Sequence, residues 1–217
     1  MKDYQLEFLE FAIQSQVLRF GEFKLKSGRV SPYFFNAGKF NNGAAMNAIS
    51  RFFAESILDS GIQFNVLFGP AYKGITLSCA TAMALAERTN KDVPYAYNRK
   101  EKKDHGEGGT TVGSQLIGQI AIIDDVITAG TSVRESVGLI SAAGAFPAAV
   151  FIALDRQERS SDSQLSAVEA VQKNFDMPVV AIAGLNELLE YIKDRVEFHQ
   201  HWDAISKYQD QYGVSSE

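Results

Sequence analysis

A chain of 217 residues, 46% hydrophobic and 22% charged, is long enough for one sizeable core with a small added subdomain. A formal net charge of −5 without a long basic tract argues against a general nucleic-acid binder, and the single cysteine, Cys79, excludes an intrachain disulfide. No apolar run reaches the roughly 20 residues that span a bilayer, and the opening Met-Lys-Asp-Tyr-Gln-Leu-Glu-Phe lacks a signal-peptide core, so a cytoplasmic protein without a membrane partner is expected.

In chain order, Tyr4 to Phe20 reads as an amphipathic helix, because Leu6, Leu9, Ile13, Val17 and Phe20 recur at helical spacing. Residues 22–42 mix aromatic, basic and turn residues and suggest short strands. Asn47 to Ser60 reads as a second helix closed by Gly61. An alternating pattern follows. Strands are expected at 64–68, 94–98, 119–123, 148–154 and 179–183. Helices are expected at 75–88, 132–142, 185–193 and 198–212. This is an α/β chain with a parallel five-stranded sheet flanked by helices. Ligands of such sheets bind beyond the carboxyl ends of the strands. The loops at 69–74, 99–111, 124–132 and 155–160 all fall there.

Four of the chain's segments carry chemistry. In Ile120 to Ser132, an apolar strand runs into Asp124-Asp125 and then Val-Ile-Thr128-Ala129-Gly130-Thr131-Ser132, with a helix pattern behind. The acids can accept hydrogen bonds from vicinal hydroxyls. The loop can wrap N–H groups around a phosphate at a helix N-terminus. Taken alone, two acids after a strand are as easily a helix cap. The pattern is neither a Gly-x-x-x-x-Gly-Lys loop nor Gly-x-Gly-x-x-Gly, which disfavours nucleoside triphosphates and dinucleotides. In Gly69-Pro70-Ala71-Tyr72-Lys73-Gly74, glycines beside a lysine at a strand end suit a pyrophosphate. The Gly-rich basic run Arg99-Lys100-Glu101-Lys102-Lys103-Asp104-His105-Gly106 has the composition of a loop that closes over phosphates. Leu25 to Asn36 places Lys26 ahead of the aromatic pair Phe34-Phe35.

Residues 120–132 resemble the signature of the type I phosphoribosyltransferases for 5-phosphoribosyl 1-diphosphate. Arg-Lys-x-x-Lys-x-His-Gly and Leu-Lys-Ser-Gly-Arg…Ser-Pro-Tyr-Phe-Phe resemble, more narrowly, the catalytic loop and base-binding hood of the orotate phosphoribosyltransferases. The resemblance implies one domain over 1–217, with a hood at 1–45 and an α/β core at 60–195 carrying the mobile loop 99–111. It implies that Asp124 and Asp125 hold the ribose hydroxyls and that Thr128, Ala129, Gly130, Thr131 and Ser132 hold the 5-phosphate. Lys26, Tyr72, Lys73, Arg99, Lys100, Lys103 and His105 are expected to contact the activated sugar, with Lys103, Asp125 and Arg99 central to catalysis. The family often holds a non-proline cis peptide near Ala71-Tyr72-Lys73.

Orotate is expected against Lys26, Phe34, Phe35, Thr128 and Arg156, where aromatic rings stack and a cation meets its carboxylate. Mg²⁺ is the implied cofactor, held mainly by substrate without a dedicated protein site. The implied assembly is a homodimer in which Arg99, Lys103 and His105 reach the neighbouring subunit's site. A purine or uracil base is the nearest rival. A sugar-phosphate-sensing regulator that binds RNA or DNA is a more distant one, disfavoured by the acidic charge. The last sixty or so residues read as scaffold, with His199 and His201 around Trp202 at a surface or interface.

Overall fold

Helix α1 spans Asp3–Gln14 and buries Phe8, Leu9 and Ala12. In the computed structural model, which describes residues 1–25, 27–103, 109–160 and 163–214, the chain leaves this helix at Gln16, whose φ is 58°. The helix is therefore shorter than its periodicity suggests. Phe20 falls in strand β1 (Leu18–Lys24), and Val17 is buried just before it. Strand β1 pairs antiparallel with β2 (Val30–Phe35) to make a separate two-stranded sheet. Helix α2 (Gly43–Ser60) starts earlier than Asn47 because the Asn42 side chain accepts the Ala45 N–H at 2.9 Å; it ends at Gly61, whose φ is 68°. An N-cap of this kind satisfies one of the orphan amides of the first turn.

The core alternates thereafter: β3 (Val66–Gly69), α3 (Lys73–Thr89), β4 (Tyr95–Lys103), β5 (Gly109–Gly113), β6 (Gln119–Asp124), α4 (Thr131–Ala142), β7 (Phe146–Asp155), α5 (Ala167–Phe175), β8 (Val179–Gly184), α6 (Leu185–Lys193) and α7 (His199–Tyr212). The main sheet has six strands in the order β5-β4-β3-β6-β7-β8, one more than expected. All neighbours run parallel except β5, which pairs antiparallel with β4 through Tyr97–Val112 and Asn98–Thr111. The added edge strand falls in Gly-Thr-Thr-Val-Gly, which offers little apolar alternation, and β4 itself runs on into the stretch read as loop 99–111. Helix α5 was also missing from the expected elements.

Side-chain alternation splits the core into two layers. Leu67, Ala121, Ile123 and Phe151 face α2, α3 and α6, whereas Phe68, Ile120, Ile122, Val150 and Ile152 face Val133 and Ile140 of α4 and Val168 and Val171 of α5. Each such large side chain contributes roughly 1.5–3 kcal/mol on burial. This two-sided burial makes β6 rigid up to the acids at its end. Among the described residues no helix is long and apolar enough to cross a membrane.

Candidate active site

Strands β3 and β6 are neighbours, and both discharge their loops at the same edge of the sheet. The 69–74 turn is shaped by close backbone approach. A Cβ on Gly69 would lie 1.9 Å from the Gly74 carbonyl oxygen, and one on Gly74 would lie 2.7 Å from Pro70 Cδ. The Ala71–Tyr72 peptide is cis, where the resemblance places one. The Ala71 N–H donates to Asn98 Oδ1 at 2.7 Å, which fastens the turn to β4. Helix α3 then begins at Lys73, with no side chain capping it. The second turn leads into α4 through Gly130, which sits at φ 68° and also offers no side-chain cap. Two helix N-termini with exposed positive ends thus meet at one edge, an arrangement suited to anions.

Between them lies the acid pair. Asp124 and Asp125 are both buried, at 9% and 7% exposure. The Asp125 N–H donates to Asp124 Oδ1 at 2.9 Å, and the Ser132 hydroxyl donates to Asp124 Oδ2 at 2.8 Å. Burial, with the neighbouring Asp125 charge second, pushes the Asp124 carboxyl up to about 6. Lys73 Nζ donates to Asp125 Oδ2 at 2.5 Å. Thr128, Ala129 and Thr131 are exposed on the loop, whereas the Ser132 hydroxyl turns in to Asp124. Tyr72 is 72% exposed, and the Lys100 ammonium stands 5.7 Å from its ring centroid. Arg99 precedes Lys100 on β4. Lys26 and His105 lie outside the described residues, and Lys103 enters only through the backbone of β4.

The hood alternates as a strand must. Ser31, Tyr33 and Phe35 point inward, while Val30, Pro32 and Phe34 are more open. The Phe35 ring packs against Phe8 and Phe40 in the core, and Phe34 stacks on Phe23 with 5.4 Å between centroids. Arg156 follows β7 and approaches the hood from below. Its Nη2 donates to Ser31 Oγ at 3.1 Å and to Glu158 Oε1 at 2.6 Å, and its guanidinium lies 4.5 Å from the Tyr33 ring centroid. Burial works against this charge, but Tyr33 and Glu158 outweigh it and hold the Arg156 pKa above its ordinary value. Ser31 and Tyr33 lie within the hood motif without a role of their own in the sequence reading, and Asn98 and Glu158 carry none there either. Asn98 has a local signal of its own, as a polar residue breaking an apolar strand beside the basic run. Among the described residues no three His, Cys, Asp or Glu side chains gather into a metal cluster.

The model of the phosphoribosyl transferase domain matches residues 37–183. A Pseudomonas aeruginosa protein named orotate phosphoribosyltransferase is 56% identical over 214 residues, covering 99% of this chain and all of that protein. One of the same name from Stutzerimonas stutzeri is 54% identical over 215 residues, again 99% of this chain and 100% of the relative. The chain belongs to the orotate phosphoribosyltransferase family. The crystal structure of the Francisella tularensis orotate phosphoribosyltransferase superposes with a TM-score of 0.87 at 42% identity, covering 95% of this chain and 99% of that one. The family likeness thus spans the hood, the acid pair and the C-terminal helix alike.

Proposed function

We propose that the chain transfers the 5-phosphoribosyl group of 5-phosphoribosyl 1-diphosphate to orotate, releasing pyrophosphate and forming orotidine 5′-phosphate, the ribosyl-transfer step of pyrimidine synthesis. The observation that carries this reading is the meeting of the 69–74 and 124–132 loops at the Lys73–Asp125 contact. That contact lies between two uncapped helix N-termini, one for each phosphate-bearing end of the sugar.

The diphosphate lies against Tyr72, Lys73 and the start of α3, with Arg99, Lys100, Lys103 and His105 brought over it. The 5-phosphate is held by Thr128, Ala129, Gly130, Thr131 and Ser132. Asp124 and Asp125 accept the ribose hydroxyls. The base rests against the hood at Lys26, the Phe34 ring and the Phe34-Phe35 backbone, the Phe35 ring itself being buried in the core, and against Thr128, with its carboxylate on Arg156. Positive charge develops at the sugar's C1 as the diphosphate leaves, and the buried carboxylate of Asp125 stabilises it. Lys73, Arg99, Lys100 and Lys103 neutralise the departing group. The base nitrogen attacks already deprotonated, so no side-chain nucleophile is required. Positioning and fixed charge supply most of the acceleration.

Mg²⁺ fits the donor chemistry only as a substrate-held ion. The two acids offer hard oxygens, but Asp124 already accepts two hydrogen bonds and Asp125 is tied to Lys73. When bound, the ion neutralises charge on the diphosphate. The protein works as a cytoplasmic homodimer with loop 99–111 shared between subunits.

An absorbance assay of orotate consumption tests the proposal. Loss of orotate is expected only when the activated sugar and Mg²⁺ are both present, with uracil, adenine and hypoxanthine turned over far more slowly. Equal turnover of a base without a carboxylate, or none of orotate, would overturn it.

A further inference from the structure

Helix α7 joins the base site through one buried carboxylate. Glu158 is 11% exposed at its side chain and stands two residues beyond Arg156. Its Oε1 accepts from Arg156 Nη2 at 2.6 Å and from the Tyr33 hydroxyl at 3.2 Å. Its Oε2 accepts from the Tyr208 hydroxyl of α7 at 3.1 Å. The Tyr33 and Tyr208 rings meet edge-on, 6.4 Å apart at 88°. Each phenol hydrogen and one Nη2 hydrogen of the guanidinium therefore point at the same acid.

The surrounding backbone fixes that acid in place. The Val214 N–H donates to the Gln157 carbonyl at 2.9 Å, and the Arg159 N–H donates to the Tyr212 carbonyl at 2.8 Å. Arg159 Nη2 reaches the Gln211 carbonyl at 2.6 Å. Arg29 of the hood donates to the Arg159 carbonyl at 2.7 Å and lies 4.6 Å from the centre of the Tyr212 ring. The chain end, the 155–160 loop and the hood are thus stitched together on one side of Arg156.

We infer that Tyr208 and Glu158 are positioning residues for the base, setting the guanidinium of Arg156 so that its Nη1, free among the described residues, meets the carboxylate of a planar anionic pyrimidine. The inference rests on the function proposed above. A guanidinium has a planar fork of donors. With Nη2 donating to both Glu158 and Ser31 and one face lying on the Tyr33 ring, the direction of the Nη1 hydrogens is decided. Arginine freed from these partners keeps its charge but loses its aim. The effect should then fall on the base alone, because neither residue touches the loops that face the sugar phosphates.

Steady-state kinetics with each substrate varied separately, beside thermal melting, tests this. Tyr208→Phe keeps the ring and removes one charge-directed hydrogen bond. It should raise KM for orotate roughly threefold to tenfold. KM for the activated sugar and the melting temperature should hold. Glu158→Gln should raise the orotate KM further. A fall in orotate KM on Glu158→Gln would mean that the acid competes with substrate for Arg156, and would overturn the inference. So would a parallel rise in both KM values with a lowered melting point, the mark of a structural role only. If the wild-type chain consumes orotate and Tyr208→Phe leaves its KM unchanged, this inference alone fails; if the wild type does not consume orotate, the function itself fails.

Discussion

Lys73 and Asp125 stand 2.5 Å apart across 52 residues of sequence, so the cation of one loop occupies the carboxylate of the other. The Lys73 side chain is 56% exposed, which leaves this pair well screened by water. Its worth to the fold is therefore small, about 1 kcal/mol or less. Lys73→Ala should leave the melting temperature nearly unchanged while raising KM for the activated sugar and lowering turnover. Asp125→Asn should cost on the order of 10²–10³ in turnover, the usual loss for one preorganised charge at a transition state. Steady-state kinetics beside thermal melting checks both, and unaltered turnover in either variant removes that residue from the chemistry.

Asp124 carries a cost that the function explains. Its folded pKa is about 6 against an ordinary 3.8, because the carboxyl is buried beside a second acid. Between those values the folded state holds a proton that the unfolded chain has released, so stability falls as pH rises through this window. Below the unfolded value both states are protonated and the penalty is gone. Asp124→Asn should accordingly stabilise the fold at pH 8 by on the order of 1–3 kcal/mol, and the gain should vanish below about pH 4. The same change should weaken uptake of the activated sugar. In the wild type, kcat/KM for that sugar should decline as pH drops through about 6, as Asp124 protonates. Melting scans at several pH values read the first effect, and a pH–rate profile the second.

Gly69 tests the turn between β3 and α3. A methyl placed there would sit 1.9 Å from a backbone carbonyl oxygen and 2.6 Å from Ser78 Oγ, with little room for either to yield. Gly69→Ala should lower stability by roughly 1–3 kcal/mol and displace Lys73. Calorimetry with the activated sugar should show weakened binding, whereas Gly43→Ala, which meets nothing within 4 Å, should leave binding alone.

The parts of this molecule readable in advance were those whose signal is local. Four buried apolar residues before Asp124, Gly61 at the end of α2, and Gly-Pro after β3 each announce an element boundary within a few positions, whereas the Asn42 cap at the start of α2 went unread. The end of α1 was hidden, because Gln16 adopts a positive φ without any turn-forming side chain. Helix α5 did announce itself: Ser166 and Glu169 form a reciprocal capping box around Val168 and ahead of Val171, but the apolar run is too short to draw notice. The Tyr208–Glu158 contact spans 50 residues and lay beyond any pattern of spacing. His201, read as a surface or interface residue, stacks on Phe20 of the hood at 4.8 Å, a contact equally remote in sequence.

The sharing of loop 99–111 between subunits is open to a complementation test. Lys103→Ala should lower turnover by about 10²–10³ with an intact fold, the same loss expected of Asp125→Asn. Each variant alone then has two defective sites per dimer. If Lys103 serves the neighbouring site, a mixed dimer contains one site with native Asp125 from one subunit and native Lys103 from the other. Its second site carries both defects. Random mixing of equal amounts makes half the dimers mixed, and each has one working site of two, so about a quarter of wild-type activity should return. If Lys103 serves its own subunit, every site in the mixture keeps one defect and no activity returns. Unfolding and refolding the two purified variants together, then assaying orotate consumption against each refolded alone, separates these cases by a factor of tens or more.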